Sequence, residues 1–288
     1  MNMPADPIAR AAREIAAADG LLVTAGAGMG VDSGLPDFRG ESGFWRAYPV
    51  IARLGISFPQ MANPSWFRRD PRLAWAFYGH RLSLYRATPP HVGFRHLLEM
   101  GAGLPFGCHV LTSNVDGHFQ QAGFDPERIE ECHGSIHHLQ CTLPCSEEIW
   151  EAAGTDIAID EEHFRAVGSL PTCPRCGALA RPNILMFGDG AWLAWRTERQ
   201  TDLLRRWLAN LAAGNRRLVI VEIGAGHAVP TIRQSSEYYA ARLQATLIRI
   251  NPRDHDIPGP PHIALPMGGL AGIEGIKRAW GNALTRPM

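Results

Sequence analysis

Residues 21–40 read LLVTAGAGMGVDSGLPDFRG, and this stretch decides the fold. Leu21-Leu22-Val23 is a short apolar run with the length and composition of a buried strand. It stops abruptly at Gly26-Ala27-Gly28-Met29-Gly30. Residues this small let a backbone turn tightly and bring its N–H groups against a ligand with no Cβ in the way. A strand running into such a loop, with a helix start expected near Asp32-Ser33, is a usual way to build a pocket for the phosphates of a dinucleotide. Taken alone, the glycine run also reads as a tight turn with no ligand. Pro36-Asp37-Phe38-Arg39-Gly40 weighs against that, because a structural loop has little need of a rigid turn, an acid, an aromatic and a cation in succession.

The chain has 288 residues and is 45% hydrophobic, ample for the core of one large α/β domain or of one domain with insertions. Lys and Arg total 28 against 28 for Asp and Glu. With no net charge and no dense basic run, an electrostatic affinity for nucleic acid is not expected. The apolar stretches fall short of the roughly 18–20 residues that span a bilayer, so no membrane partner is expected. The N-terminus alternates charges and lacks the apolar core of a secretory signal. It reads as an amphipathic helix closed by Gly20, and the expected location is the cytoplasm. Of the six cysteines, four cluster in two close pairs, which in a reducing compartment favours metal over disulfide.

Between Gly40 and Pro90 the sequence turns aromatic and loses β-branched content, as in a small helical insertion, with helix starts at Pro64-Ser65-Trp66 and Asp70-Pro71. Tyr78 and Arg81 lie three apart on one helical face. They read either as a half-buried aromatic beside a solvated cation or as a phenol and guanidinium able to hold a carboxylate. A helix over about 91–100 precedes the buried strand His109–Thr112, which delivers Ser113, Asn114 and Asp116 at its carboxyl end, where open α/β sheets put their chemistry. Asn and Asp there are also ordinary turn formers. His133-Gly134 follows about twenty residues on. His137 and His138 are expected at strand or surface positions.

Cys141 and Cys145 form a C-x3-C, and Cys173 and Cys176 a C-x2-C, across a polar, acidic insert. Two such pairs supply four thiolates to a tetrahedral Zn²⁺ and leave no open position for catalysis. Free thiols or a redox pair would not explain why the pairs meet. Arg181 to Asp189 is an extended apolar segment ending in Phe187-Gly188-Asp189, either a core strand or an edge offered to an incoming peptide. A helix is expected over about 191–213. Leu218–Ile223 is the clearest buried parallel strand. It ends at Gly224-Ala225-Gly226, and a last strand, Ala245–Ile250, leads to Asn251 before a loop and a closing helix.

These motifs, in this order from about Leu21 to Asn251, resemble the sirtuins, the NAD-dependent protein deacylases. The resemblance implies a doubly wound, Rossmann-like parallel sheet over residues 1–40, 91–136 and 181–288, a helical module at 41–90 and a zinc-binding module at 137–180. It implies NAD and one structural Zn²⁺ as cofactors, and an acyl-lysine protein or peptide as substrate, with O-acyl-ADP-ribose, nicotinamide and free lysine as products. Residue by residue, Gly26, Ala27 and Gly28 match the phosphate loop. Asp37 and Phe38 would shield the reactive ribose, and Arg39 would reach phosphate or ribose. Ser113, Asn114 and Asp116 match the nicotinamide side, and Gly224, Ala225, Gly226 and Asn251 the adenosine side. His133 would be the general base, with Asn114 beside it. Phe187 and Gly188 match the substrate edge, and Tyr78 and Arg81 the pair found in the branch that removes succinyl, malonyl or glutaryl groups. The chain departs from the family pattern at Gly30 (usually Ser), Ser113 (Gln), Ala225-Gly226 (Thr-Ser) and Asp189 (Glu). NAD hydrolysis or ADP-ribosyl transfer on the same scaffold is the second reading, and a non-catalytic NAD-binding module the third.

Overall fold

The structure is a computed structural model that describes residues 6–36 and 40–284. Asp37, Phe38 and Arg39, expected at the cofactor, lie outside the described residues. In chain order the strands are β1 (Gly20–Ala25), β2 (Cys108–Thr112), β3 (Ile129–Glu131), β4 (Gly134–Cys141), β5 (Ile149–Glu151), β6 (Ile159–Asp160), β7 (Arg165–Ala166), β8 (Ala180–Ile184), β9 (Leu218–Ile223), β10 (Thr246–Ile250) and β11 (Ile263–Leu265).

Six of them make one parallel sheet in the order β3-β2-β1-β9-β10-β11. The chain lays strands outward from β1 on one side, leaves for β4 to β8, and returns to lay strands outward on the other side. The order therefore reverses between β1 and β9, and the crevice beyond their carboxyl ends is where such sheets bind ligands.

Alternation along β1 explains the layering. Leu21, Val23 and Ala25 point to one face with Val219, Val221, Ile248 and Ile250, where the helices Pro7–Ala16, Val92–Ala102 and Gly269–Leu284 cover them. Leu22 points to the other with Ile220 and Leu247, under the helices Trp195–Ala213 and Thr231–Leu243. Leu21, Leu22 and Val23 are each fully buried, a contribution of about 1.5–3 kcal/mol apiece.

Three local expectations are revised. No α-helix starts near Asp32-Ser33; two short 3₁₀ turns, Ala27–Met29 and Val31–Ser33, end at Gly34 with φ +93°. The Asp32 carboxylate instead accepts the Leu270 N–H at 2.8 Å, capping the helix Gly269–Leu284. The N-terminal helix stops at Ala16, and Gly20 is the first residue of β1. β10 is not the last strand, because β11 adds beside it within the stretch read as loop.

A second layer surrounds β4, which pairs antiparallel with β5 and β8. The helix Pro71–Ala87 starts at Asp70-Pro71 as expected, with the Asp70 side chain accepting the Leu73 N–H. Its Trp75, Phe77 and Tyr78 share one buried cluster with Phe44, Leu139, Ile157, Phe164, Ala180 and Ile184. The helical segment and the cysteine-bearing sheet thus bury a common core. Among the described residues no helix is long and apolar enough to cross a membrane.

Gly134, the first residue of β4, has φ +75°, and a Cβ there would lie 2.1 Å from the Asn183 carbonyl oxygen. No shift of a side chain relieves a clash with a main chain. Gly134→Ala is expected to cost about 2 kcal/mol or more in urea unfolding; an unchanged midpoint would show that the β4–β8 pairing can slide to admit it.

Candidate active site

Three loops meet at the carboxyl ends of β1, β2 and β3. The loop after β1 and the glycine turn after β9 touch through their main chains: the Gly28 N–H donates to the Gly224 carbonyl at 3.0 Å. A Cβ on Gly26 would stand 2.9 Å from Ala225 Cα, and one on Gly224, at φ +63°, would stand 2.4 Å from Gly28 Cα. Only glycine permits this approach at the reversal point of the sheet. The result is an unobstructed backbone at the place where a dinucleotide pyrophosphate fits.

The loop after β2 is bolted to the first turn. Thr112 Oγ1 and the Ser113 N–H both donate to the Ala25 carbonyl, at 3.0 and 3.1 Å. The Asn114 N–H donates to Thr112 Oγ1, and its side-chain amide donates to the Gly26 carbonyl at 3.0 Å. Asp116 is buried, accepts the His118 N–H at 2.9 Å, and offers its carbonyl to His137 Nε2 at 2.8 Å. Burial raises its carboxyl above the ordinary range, against the pull of His118.

The end of β3 is gripped from the helix Trp195–Ala213. Arg196 pairs with Glu131 at 2.5 Å, Thr197 Oγ1 donates to the Glu131 carbonyl, and Gln200 accepts the Glu131 N–H. The Cys132 N–H donates to the Thr112 carbonyl, so His133 emerges beside the loop after β2. Burial lowers the His133 pKa below its ordinary value, opposed by a main-chain hydrogen bond with Ser113. The Cys132 bond thereby fixes the His133 backbone next to the loop that carries Asn114. His137 and His138 are strand residues of β4, as expected, and burial takes His138 down to about 4.

At the ends of β9 and β10, Ala225 is buried and Asn251 wholly so. Asn251 Nδ2 donates to the Ala225 carbonyl at 2.7 Å, and its Oδ1 accepts the N–H groups of Arg253 and Asp254. Its amide is therefore engaged inside the protein.

The four cysteines of the two pairs come together. Cys141 and Cys176 Sγ lie 3.6 Å apart, as do Cys145 and Cys173, and all four fall within 4.8 Å of one another. A tetrahedral zinc with bonds of about 2.3 Å sets its sulfurs about 3.8 Å apart, so the cluster fits the ion. Cys141 ends β4, at whose other end His133 sits, roughly 25 Å of extended chain away. The metal would brace the fold, away from the imidazole.

Arg181 and Asp189, both buried, form a bidentate pair at 2.7 and 3.0 Å, and Asp189 also accepts the N–H groups of Met186 and Ala191. The shorter acid in place of Glu therefore closes the Phe187-Gly188 turn. Phe187 is 42% exposed, while its N–H donates to the Ala62 carbonyl and its C=O accepts from Asn63. Tyr78 and Arg81 are both buried, 1% and 7% exposed. Arg81 Nε and Nη2 both donate to the Tyr85 hydroxyl, at 3.0 and 2.8 Å, and the guanidinium lies over the rings of Phe77, Tyr78 and Tyr85. The Tyr78 hydroxyl is buried and has no hydrogen-bond partner among the described residues.

The model of the Sir2 family matches residues 26–204. The chain belongs to the Sir2 family, the sirtuins. An "NAD-dependent protein deacylase" of Aeropyrum pernix is 30% identical over 256 residues, 89% of this chain and 90% of that one. A protein of the same description from Pyrococcus furiosus is 34% identical over 169 residues, 57% of this chain and 59% of its own length. A solved Sir2 homolog–NAD complex superposes with a TM-score of 0.68 at 24% identity, over 95% of this chain and 94% of that one. A Sir2 homologue mutant–ADP ribose complex gives 0.69 at 23%, over 96% and 98%.

Some residues that shape this sirtuin site lay beyond the sequence reading. Tyr85 had a local signal, its spacing of four from Arg81. Arg196, Thr197 and Gln200 had none, since they reach β3 only through the fold. For the cysteine cluster, elemental analysis is expected to find one zinc per chain. Cys173→Ser should lose most of it together with several kcal/mol of stability; a metal-free chain that melts like the purified protein would sink the zinc assignment.

Proposed function

We propose that this chain is an NAD-dependent protein lysine deacylase whose chemistry is centred where the ends of β1, β2 and β3 meet. The observation that carries the reading is the joining of the strand end before His133 to the loop after β2, through the Cys132 N–H on the Thr112 carbonyl, with the Asn114 amide of that loop tied to Gly26. The glycine turns would hold the pyrophosphate, and Asn114 and Asp116 the nicotinamide end. When bound, NAD would supply the ribose carbon that takes the acyl oxygen as nicotinamide departs, and the neighbouring ribose hydroxyl that takes the acyl carbon, so that one water completes the cleavage of the amide C–N bond to free lysine and an O-acyl-ADP-ribose.

His133 does the proton work. Its lowered pKa keeps the imidazole neutral at neutral pH, and a neutral imidazole has one nitrogen to accept a proton from a ribose hydroxyl. Arg196, Thr197 and Gln200 hold Glu131 and so fix the strand end from which the ring projects. Asn114, between Gly26 and the histidine, orients the sugar. Phe187 would meet the substrate peptide with its exposed ring, since its main-chain groups are engaged. At the far end of the acyl chain, the buried Tyr78 hydroxyl and Arg81 guanidinium match a carboxylate, which favours succinyl-like chains over acetyl. An acceptor-only carboxylate would take the Tyr78 hydroxyl proton in a hydrogen bond and face the Arg81 charge, whereas a methyl does neither.

Two measurements check this. His133→Tyr should abolish release of O-acyl-ADP-ribose with the fold intact by circular dichroism. In the wild type the acid limb of kcat/KM should fall below the ordinary imidazole value of about 6.5, because a lowered pKa keeps the base form present to lower pH. Product formation by the variant, or an acid limb above that value, would reject the base. Arg81→Met should cut turnover of a succinyl-lysine peptide at least about tenfold more than that of an acetyl-lysine peptide; equal losses would dismiss the carboxylate pocket.

A further inference from the structure

We infer that Tyr85 is a positioning residue for acyl-chain selection, fixing the Arg81 guanidinium where the far end of an acidic acyl chain arrives. The inference rests on the deacylase reading above and on its carboxylate pocket. Tyr85 lies one turn beyond Arg81 on the helix Pro71–Ala87, and both are buried, 4% and 7% exposed.

The Tyr85 hydroxyl oxygen accepts from Arg81 Nε at 3.0 Å and from Nη2 at 2.8 Å. Those two nitrogens make the side edge of the guanidinium, and a hydroxyl has two lone pairs to meet them. Two bonds to one oxygen set the rotation of the cation as well as its place. The end edge, Nη1 and Nη2, is then the one turned away from Tyr85. The rings do less. The guanidinium carbon lies 5.3 Å from the ring centre of Phe77, 5.8 Å from that of Tyr78 and 5.4 Å from that of Tyr85. A ring face attracts a cation without choosing its rotation, and the hydroxyl adds the direction that the faces lack.

Tyr85 is also where this helix meets the loop after β2. Gln121 Nε2 donates to the Tyr85 carbonyl at 3.4 Å, and His118 Nε2 donates to the Thr88 carbonyl at 3.0 Å. His118 and Gln121 bound the short helix that follows Asp116, whose carboxylate accepts the His118 N–H. Burial raises the Tyr85 pKa against the pull of Arg81, and the Asp116 carboxylate adds to the rise. The phenol therefore stays neutral. An acid in its place would pair with the guanidinium and cancel its charge, whereas a neutral phenol orients that charge and leaves it for an anionic ligand.

Steady-state kinetics of the full chain with NAD and matched succinyl- and acetyl-lysine peptides test this, in the wild type, Tyr85→Phe, Arg81→Met and the double variant, with melting temperatures as the check on folding. Tyr85→Phe keeps the ring and removes only the oxygen. It should raise KM for the succinyl peptide at least about fivefold more than KM for the acetyl peptide, with kcat on the succinyl peptide held within about twofold. Added to Arg81→Met, it should change the succinyl KM by less than about twofold, because the phenol acts through the cation. Equal rises in KM on the two peptides would mark a packing role and overturn the inference. So would an unchanged succinyl KM, or losses that add in full in the double variant. Arg81→Met weakening both peptides alike would sink the carboxylate pocket and this inference with it, and a wild type inactive on both peptides would sink the deacylase reading beneath them.

Discussion

The contact between two glycine turns is the constraint on which the site depends. β1 and β9 are neighbours in parallel register, with Ala25 opposite Ile223, so their chains leave the sheet side by side, about 4.8 Å apart. Any side chain at Gly26 or Gly224 would enter the other turn's backbone. Because the turns can close on each other, Gly26 presents its carbonyl to Asn114, and the loop after β2 gains its position. That loop positions His133 in turn. A change at the glycine contact would therefore propagate to a histidine distant from both turns in sequence without touching it.

The second layer solves a different problem. A long excursion between β3 and β9 must return the chain to the sheet edge while carrying charged groups inside. Arg181 and Asp189 are buried together as a bidentate pair whose remaining acceptor capacity is taken by main-chain N–H groups, the condition under which a buried ion pair is tolerated. Glu222 and Arg249 meet the same condition across adjacent strands, with Glu237 as a third partner. The cysteine cluster lies at the far end of β4 from His133, so a metal there would brace the common core of the helical segment and the small sheet. It would carry no part of the proton chemistry.

Much of this was legible in the sequence because its signals are local. A run of apolar residues ending in glycines, a histidine before a glycine, and two cysteine pairs each announce themselves within a few residues. The bounds of β9 were readable to the residue, since Leu218–Ile223 is uniformly apolar apart from Glu222 and is buried on both faces. What was not legible depends on the fold. β11 is three residues long, too short for a pattern to show. The 3₁₀ turns after β1 replace a helix because Asp32, a good N-cap by type, caps a helix that begins more than two hundred residues later. Asn251 was expected on the adenosine side, and its side chain also ties together the ends of β9 and β10, a contact no spacing reveals.

The departures from the family pattern show how a site can keep its shape while its side chains change. With Ala225 and Gly226 lacking hydroxyls, the Asn251 amide bonds the Ala225 carbonyl, and a carboxylate from the next loop fills the space at Gly226. At Arg81 the logic is energetic. A guanidinium taken out of water needs partners for its donors, and here a hydroxyl one turn away takes two of them, while three aromatic faces surround the charge. Burial alone would lower the Arg81 pKa, yet the neighbouring tyrosines hold it above its ordinary value. A cation retained this deep beside an unpartnered tyrosine hydroxyl adds little that a well-packed apolar residue would not supply to stability.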